Sequence, residues 1–193
     1  MSRVVVINHV TLDGVMQGPG RPEEDTRDGF SYGGWAAPNV DGVMMEAMGA
    51  RMGEGNRLLL GRRSYEDMLG YWNTQDSAFK DALNNAEKYV ASRTLREPLP
   101  WPSSTLLRGD VPDAVAQLKR QPAQDLHVMG SGELIQTLMR HDLIDEYLLM
   151  IHPLVLGTGK RLFVDGSAPA HLRLVDSTAS TTGVLIATYQ AEG

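Results

Sequence analysis

Short apolar runs, each followed by a glycine-marked turn and a helical pattern, recur along the chain. Two of these runs, Val4 to Ile7 and Leu58 to Leu60, lack polar residues, which is typical of strands buried on both faces of a sheet, and a third is a strand-like run with apolar Leu126, Val128 and Met129. The third run meets Gly130-Ser131-Gly132, where we expect a strand to stop and a helix to begin. The pattern therefore predicts repeated strand–turn–helix units.

Other segments complete this arrangement. Further helical patterns lie at Val43 to Met52, which is expected to end near Gly53 or Gly55, at Ala78 to Asn84, and at Val111 to Leu118 behind an Asp110 cap. Further strands are expected at Lys88 to Ala91 and, at a sheet edge, at Thr105 to Leu107. Gly14 to Pro38 has little periodicity, and we interpret it as a wall or lid of a site.

The C-terminal third is richer in strand patterns. Tyr147 to Leu156 is the longest apolar run, and Pro153 within it predicts a bulge or an edge position. Leu172 to Val175 and Val184 to Tyr189 predict a hairpin around a Ser/Thr-rich connection. We therefore expect a single three-layer α/β domain over residues 1–193, with a mostly parallel central sheet and antiparallel C-terminal strands.

Composition narrows the functional class. A net charge of -6 argues against a broad nucleic-acid or membrane surface, although a small cationic site remains compatible with it. The chain has no cysteine, and its five histidines show no paired metal-ligand spacing. No signal peptide or membrane-spanning run is apparent. We expect a cytoplasmic protein without a metal, with a small-molecule substrate and with neither nucleic-acid nor membrane partners.

Polar and glycine residues follow four of the predicted strands. In a parallel sheet the carboxyl ends of the strands meet at one edge, where ligands bind. The residues expected there are Asp13-Gly14, Gly61-Arg62, Ser92-Arg93 and Gly130-Ser131-Gly132. Arg62 and Ser64 at a helix mouth suit a phosphate or pyrophosphate. The alternatives are an ordinary tight turn at Gly130 to Gly132, and arginines that only pair with surface carboxylates.

Several of these segments resemble dihydrofolate reductases. Leu58 to Tyr65 resembles their strand-Gly-Arg-x-Thr-aromatic segment, with Ser64 in the threonine position. Val90 to Thr94 is similar to the strand-Ser-Arg/Ser-Thr segment, and Val128 to Gly132 to the strand-Gly-Gly-Gly segment. Asp145 to Phe163 resembles the closing part of the branch that includes the riboflavin-biosynthesis reductase domain. The likeness runs from about Val4 to Tyr189.

This resemblance implies a dihydrofolate-reductase-like fold with NADPH as hydride donor. Arg62 and Ser64 would hold the cofactor phosphates, and Ser92 and Arg93 the 2′-phosphate of its adenosine. The other implied cofactor-binding residues are Gly61, Gly130, Ser131, Gly132, Glu133 and Leu134 around the phosphates, and Asn8, Asp13, Gly14 and Met16 on the nicotinamide side.

Trp35-x-x-Pro38-x-x-Asp41 resembles the Trp-x-x-Pro-x-Asp motif of these reductases, with one residue more between the proline and the acid. The resemblance implies that Trp35 and Asp41 are catalytic and face the substrate. The alternative is that Asp41 only stabilises a helix N-terminus. Met150 stands where a folate reductase has a threonine, so folate is not the expected substrate.

We therefore expect an NADPH-dependent oxidoreductase that transfers hydride to a C=N or C=O carbon of a small, pterin- or pyrimidine-like substrate. A second hypothesis is a catalytically silent NADP(H)-binding regulatory or interaction protein with the same fold. A third assigns association to the run from Tyr147 to Leu156, which as an outward-facing strand would form a homodimer.

Overall fold

The computed structural model describes residues 1–51, 57–167 and 169–192. Its contacts divide the chain into two compact units, Met1–Val5 with Met52–Asp145, and Val6–Arg51 with Glu146–Gly193. The expectation of a single domain over the whole chain stays a prediction.

Within the described residues, eight strands and five α-helices form the fold. In chain order they are β1 (Val4–Thr11), α1 (Gly42–Arg51), β2 (Arg57–Gly61), α2 (Arg62–Trp72), α3 (Ala78–Asn85), β3 (Glu87–Ala91), β4 (Ser104–Leu107), α4 (Val111–Arg120), β5 (Leu126–Met129), α5 (Gly132–Arg140), β6 (Glu146–His152), β7 (Leu172–Ala179) and β8 (Leu185–Ala191). Strand β1 begins in the first unit and continues into the second. The predicted helix end near Gly53 or Gly55 lies outside the described residues.

The first unit is built on parallel strands in the order β4-β3-β2-β5. Leu58, Leu59 and Leu60 are fully buried, which explains why β2 has no polar alternation. Strand β4 lies at the end of this order, so the predicted edge position is confirmed. The Asp110 carboxylate accepts a hydrogen bond from the Asp113 backbone N–H at 3.1 Å, so the predicted cap of α4 is confirmed as well.

The second unit contains the antiparallel strands. Strand β8 pairs with β6 on one side and with β7 on the other, which confirms the C-terminal hairpin. The edge position predicted for β6 is wrong, because β6 lies between β1 and β8, and Pro153 follows its last residue. The exposed edge strand is β7, which continues to Ala179 through part of the Ser/Thr-rich segment that was expected to be a connection.

These elements confirm an α/β fold with mostly parallel strands and antiparallel C-terminal strands. Among the described residues, no helix combines the length and the apolar character needed to cross a bilayer.

Candidate active site

The carboxyl ends of three neighbouring strands lie together in the first unit. Gly61 and Ala91 are register partners at the ends of β2 and β3, and β5 pairs with β2 on its other side. The features predicted after these strands, at Gly61, Ser92 and Gly130, therefore share one edge of the sheet. The fourth, at Asp13, belongs to the second unit.

Two serines connect the turns that follow β2 and β5. The Ser64 hydroxyl accepts a hydrogen bond from the Ser131 backbone N–H at 2.7 Å. The Ser131 hydroxyl accepts one from the Gly61 backbone N–H at 3.0 Å and donates to the Met129 carbonyl at 3.0 Å. This reciprocal pair holds the beginning of α2 against the turn before α5.

Gly130 makes the close approach of these turns possible. Its φ is +59°, in the left-handed region that favours glycine, and a Cβ at this position would lie 2.9 Å from the Ser64 hydroxyl oxygen. The turn is therefore a specific structure in which residue 130 needs to be glycine, although this does not by itself make the turn a ligand site.

The helices on either side of the serine pair both begin without a side-chain cap. At α2 the N-cap residue is Gly61, and at α5 it is Ser131, whose hydroxyl is used elsewhere. Backbone N–H groups of a first helical turn favour anions, and more so when no side chain satisfies them. Two such N-termini at one edge of the sheet suit the two phosphates of a pyrophosphate.

The two arginines predicted to bind phosphate, Arg62 and Arg93, are both accessible to solvent, and Arg62 makes only a long ion pair. An Arg62 guanidinium nitrogen lies 3.8 Å from a Glu66 carboxylate oxygen, and the Arg62 side chain is 42% exposed. This is the surface pairing named above as the alternative, and a long, exposed pair contributes little. Arg93 is exposed. The Ser92 hydroxyl accepts hydrogen bonds from the Thr94 and Leu95 backbone N–H groups, which shapes the turn after β3.

In the second unit, Asp13 anchors the loop that follows β6. Its carboxylate accepts hydrogen bonds from the Thr11 hydroxyl at 2.6 Å and from the Gly157 N–H at 2.8 Å, and Arg161 approaches it at 3.4 Å. The Thr11 hydroxyl and the Gly157 and Leu156 N–H groups hold the pKa of this carboxyl well below its usual range. Asp13 is therefore a charged residue whose contacts are structural.

The other residues predicted for the nicotinamide side are Asn8 in β1 and Gly14 and Met16 in the segment that follows β1. Gly14 has φ of +80°, and its carbonyl accepts a hydrogen bond from the Leu162 N–H at 2.9 Å. The Met16 N–H donates to the Lys160 carbonyl at 2.8 Å, and the buried Asn8 amide lies 4.0 Å from the Met16 sulfur. The segment after β1 is thus fastened to residues 160–162 by backbone hydrogen bonds.

The irregular segment between Gly14 and Pro38 has a small core of its own. Val15, Phe30, Trp35 and Ala36 are buried together. The Trp35 indole N–H donates to the Gln17 carbonyl at 2.7 Å. The segment is therefore an ordered structure, and its role as a wall or lid of a site stays a prediction.

Asp41 makes the contacts of a helix cap. One carboxylate oxygen accepts from the Met44 N–H at 2.9 Å, and the other accepts from the Thr181 N–H and hydroxyl at 2.6 and 2.7 Å. The Thr181 hydroxyl and the Met44 N–H lower the pKa of Asp41. These are the contacts of an acid that stabilises a helix N-terminus, which was the alternative to a catalytic role. Contact of Asp41 with the substrate stays a prediction.

Comparison with known proteins gives the family. The model of the RibD C-terminal domain matches residues 3–186, nearly the whole chain. The chain belongs to the RibD C-terminal domain family. It is 32% identical over 143 residues to the YyaP protein of Bacillus subtilis (strain 168), covering 70% of this chain and 74% of that protein.

Solved structures share the fold of this RibD C-terminal domain. A candidate riboflavin biosynthesis protein from Shewanella sp. PV-4 superposes with a TM-score of 0.71 at 21% identity, covering 99% of both chains. The dihydrofolate reductase of Enterococcus faecalis, solved with NADP(H), has a TM-score of 0.60 at 13% identity, with 99% and 97% of the two chains covered. The dihydrofolate-reductase-like fold inferred from the sequence is confirmed, and family and fold are of the reductase type.

The second unit of this chain also contains a histidine pair that was not predicted from the sequence. His9 Nδ1 and His152 Nε2 are 2.9 Å apart, and the His152 ring meets the Trp35 ring edge-to-face at 5.2 Å between centroids. The two histidines are 143 positions apart, so no spacing rule connects them. Among the described residues, no group of three or more His, Cys, Asp and Glu side chains is placed to hold a metal ion.

Met150, which the sequence resemblance places at a threonine of folate reductases, is fully buried in β6 opposite Ile186 of β8. At this position this chain has an apolar side chain. The expectation that folate itself is not the substrate stays a prediction.

Proposed function

We propose that this chain is an NADPH-dependent reductase that transfers hydride to a C=N or C=O carbon of a small, pterin- or pyrimidine-like substrate. The observation that carries the proposal is the pair of uncapped helix N-termini, at α2 and α5, held at one sheet edge by the Ser64–Ser131 pair. Membership of the RibD C-terminal domain family and the NADP(H)-bound dihydrofolate reductase of the same fold support the choice of cofactor.

In the first unit, we assign the phosphates of NADPH to the N-termini of α2 and α5. The backbone of Gly130, Ser131 and Gly132 permits close approach, and Glu133 and Leu134 follow in the first turn of α5. Arg62 and Ser64 lie in the first turn of α2. Ser92 and Arg93 would hold the 2′-phosphate, and a guanidinium fork suits such a dianion.

In the second unit, we assign Asn8, Asp13, Gly14 and Met16 to the nicotinamide side and Trp35 to the substrate. NADPH supplies the hydride, and this chain's residues bind and orient the cofactor and shield it from water. Asp13 acts by holding the loop after β6 in place, because its carboxylate is occupied by that loop.

Direct titration tests the cofactor assignment. We expect saturable binding of NADPH and NADP⁺, and weaker binding of NADH, because only the phosphorylated cofactors offer the 2′-phosphate. The double variant Arg62→Ala with Arg93→Ala should bind NADPH at least tenfold more weakly. Arg120→Ala, an exposed arginine in the last turn of α4, is the matched control and should bind as the wild type does. Unchanged binding in the double variant would overturn the assignment.

One observation favours a second candidate, a catalytically silent NADP(H)-binding regulatory or interaction protein. Both carboxylate oxygens of Asp41 accept hydrogen bonds, and the lowered pKa of Asp41 makes it a poor proton donor. NADPH that binds but is not oxidised with any of a panel of pterins, pyrimidines and aldehydes would support this candidate. Oxidation with any one of them would exclude it.

A homodimer is also proposed, with an interface different from the one expected from the sequence. The exposed edge strand of the second unit is β7, in which Leu174 and Val175 are 50% and 46% exposed. An exposed strand edge with apolar side chains favours pairing with a second copy. Light scattering should give the mass of two chains, and Val175→Lys should shift it towards one. A cytoplasmic location, and the lack of nucleic-acid and membrane partners, stay predictions.

A further inference from the structure

The two histidines of the second unit differ in their surroundings. His152 is fully buried, and its Nδ1 has no hydrogen-bond partner among the described residues. His9 is partly exposed. Because His9 Nδ1 is taken by His152 Nε2, the other nitrogen of His9, Nε2, is the one left to reach a ligand. The pair therefore has one buried outer nitrogen, His152 Nδ1, which we call its closed end, and one outer nitrogen left for a ligand, His9 Nε2.

The closed end determines where His152 carries its proton. Burial lowers the pKa of His152 to about 4, so the ring is neutral at pH 7 and has a single N–H. A proton on Nδ1 would be a buried N–H donor with no hydrogen-bond acceptor among the described residues. A proton on Nε2 is donated to His9 Nδ1 at 2.9 Å and leaves only a lone pair buried. Unpaired buried N–H groups are the rarer defect, which favours the second arrangement.

The state of His9 follows from that of its neighbour. Burial and, secondly, the His152 ring lower the pKa of His9 to about 3. His9 is then neutral at pH 7, and because its Nδ1 accepts a hydrogen bond, its own proton resides on Nε2.

We propose that His152 fixes His9 as a neutral Nε2–H donor that binds an acceptor atom, a carbonyl oxygen or a ring nitrogen, of the heterocyclic substrate. This inference rests on the proposed reductase function and names a substrate-binding residue for it. The hydrogen bond polarises the acceptor group without transferring a proton, as a neutral imidazole does when charge develops on a carbonyl oxygen. His152 acts through His9 and is a positioning residue.

The position of Trp35 supports a substrate role for the pair. Its ring packs at 90° against His152, and its indole N–H is fixed by the Gln17 carbonyl, so it cannot donate to a ligand. Trp35 and His9 both contact the His152 ring, and in a site lined by Trp35, as proposed above, His9 Nε2 is the nitrogen of the histidine pair left to meet a ligand. A neutral donor next to an aromatic wall suits an uncharged, planar heterocycle with acceptor atoms at its edge.

Nitrogen-15 NMR of the histidine side chains in the full chain tests the tautomer directly and needs no turnover. We expect His9 in the Nε2–H form, unchanged between pH 5 and pH 8. In His152→Phe the His9 ring should lose this fixed tautomer, whereas His152→Gln, which retains an N–H donor, should preserve it. A His9 ring protonated on Nδ1, or one that titrates near its ordinary pKa of about 6.5, would overturn the inference.

A binding experiment tests the ligand. With NADP⁺ bound, we add 7,8-dihydropterin, a dihydroxypyrimidine and an aromatic aldehyde in turn. We expect at least one to shift the His9 Nε2 resonance, to bind His9→Phe at least tenfold more weakly, and to bind His9→Gln with an intermediate loss. NADP⁺ binding should be the same in all three chains.

Different results contradict the proposed reductase function and the proposed role of His9. A wild-type chain that does not bind NADP⁺ contradicts the proposed reductase function. A chain that binds NADP⁺ but none of the three probes, or that binds a probe equally well as His9→Phe, contradicts the role of His9 and leaves the cofactor assignment intact.

Discussion

The Ser64 hydroxyl and the Ser131 backbone N–H, 67 positions apart, are joined by a hydrogen bond of 2.7 Å. This contact fixes the start of α2 against the turn that begins α5, where the cofactor phosphates are proposed to bind. By the sequence resemblance Ser64 corresponds to a phosphate-binding threonine of dihydrofolate reductases, so we propose that one hydroxyl supports both the geometry of the turn and the cofactor site.

Ser64→Ala should lower both stability and cofactor affinity. The Ser131 N–H would lose its acceptor in a part-buried position, which typically costs about 1–3 kcal/mol. Urea unfolding measures the stability change, and calorimetric titration with NADP⁺ measures the affinity. Ser64→Thr keeps the hydroxyl and is the control that should retain most of both. An alanine variant as stable as the wild type would mean that water replaces the hydroxyl at no cost.

Gly130→Ala should destabilise the first unit for two separable reasons. A side chain is strained at a φ of +59°, and its Cβ would lie 2.9 Å from the Ser64 hydroxyl oxygen. Gly109→Ala is the matched control, because Gly109 has φ of +76° but no atom within 4 Å of the added Cβ. We expect a loss of about 1–2 kcal/mol from backbone strain at both positions, measured by urea unfolding.

The extra loss in the free energy of unfolding of Gly130→Ala over Gly109→Ala measures the contact with Ser64. This extra loss should disappear in a Ser64→Gly background, because the Ser64 hydroxyl oxygen that blocks the Cβ is then absent. Equal losses for Gly130→Ala and Gly109→Ala in the wild-type background would show that the turn yields without cost, contrary to the close packing described above.

The sheet edge where these turns meet could be predicted from the residue types within the strands. Unbroken runs such as Leu58 to Leu60 suit parallel strands covered on both faces, and parallel strands have their carboxyl ends at the same edge. Gly61 and Gly130 then mark where those strands stop. The prediction needed only local patterns and a general rule of sheet geometry.

Contacts that depend on the order of strands in the sheet could not be predicted from local sequence patterns. His9 meets His152 because β6 neighbours β1, and nothing in the periodicity of either strand specifies its neighbour. The same gap led to the wrong edge position for β6. Strand β7 was predicted too short because both its faces are exposed, so that Ser177 and Thr178 are tolerated where a buried strand would need apolar residues.

Lys88 should make stability rise with pH above 8. It is buried in β3, its ammonium donates to the Asn84, Ala86 and Pro102 carbonyls, and burial lowers its pKa to about 8. Because the unfolded chain keeps the ordinary pKa of about 10.4, it binds the extra proton between these values, and deprotonation on raising the pH favours the folded state.

The measurement is the free energy of unfolding at pH 7, 8, 9 and 10 for the wild type and for Lys88→Met. The variant should be less stable at pH 7, because three carbonyls lose a donor. The wild type should gain stability relative to the variant from pH 8 to pH 10. A constant difference across this range would mean that Lys88 keeps an ordinary pKa in the folded chain.

Asp41→Asn distinguishes a helix cap from a substrate-binding acid. The Met44 and Thr181 donors lower the pKa of Asp41 in the folded chain, so its stabilising contribution is complete above the unfolded pKa of about 3.9 and is lost as the pH falls through the folded pKa. Asparagine does not titrate, and its single carbonyl oxygen can accept from the Met44 N–H or from the Thr181 donors but not from both. The variant should therefore show a shallower loss of stability than the wild type below pH 4, with NADP⁺ binding unchanged at pH 7.

Turnover then decides the role of the carboxylate. If Asp41 only caps α1, kcat and KM with any active substrate should be the same in Asp41→Asn, whereas Thr181→Ala should lower stability to a similar small extent. A fall of about 10²-fold or more in kcat with an intact fold would place the Asp41 carboxylate among the groups that act on the substrate, because general acid–base contributions have that size. It would also transfer the main catalytic role from the His9 hydrogen bond to Asp41.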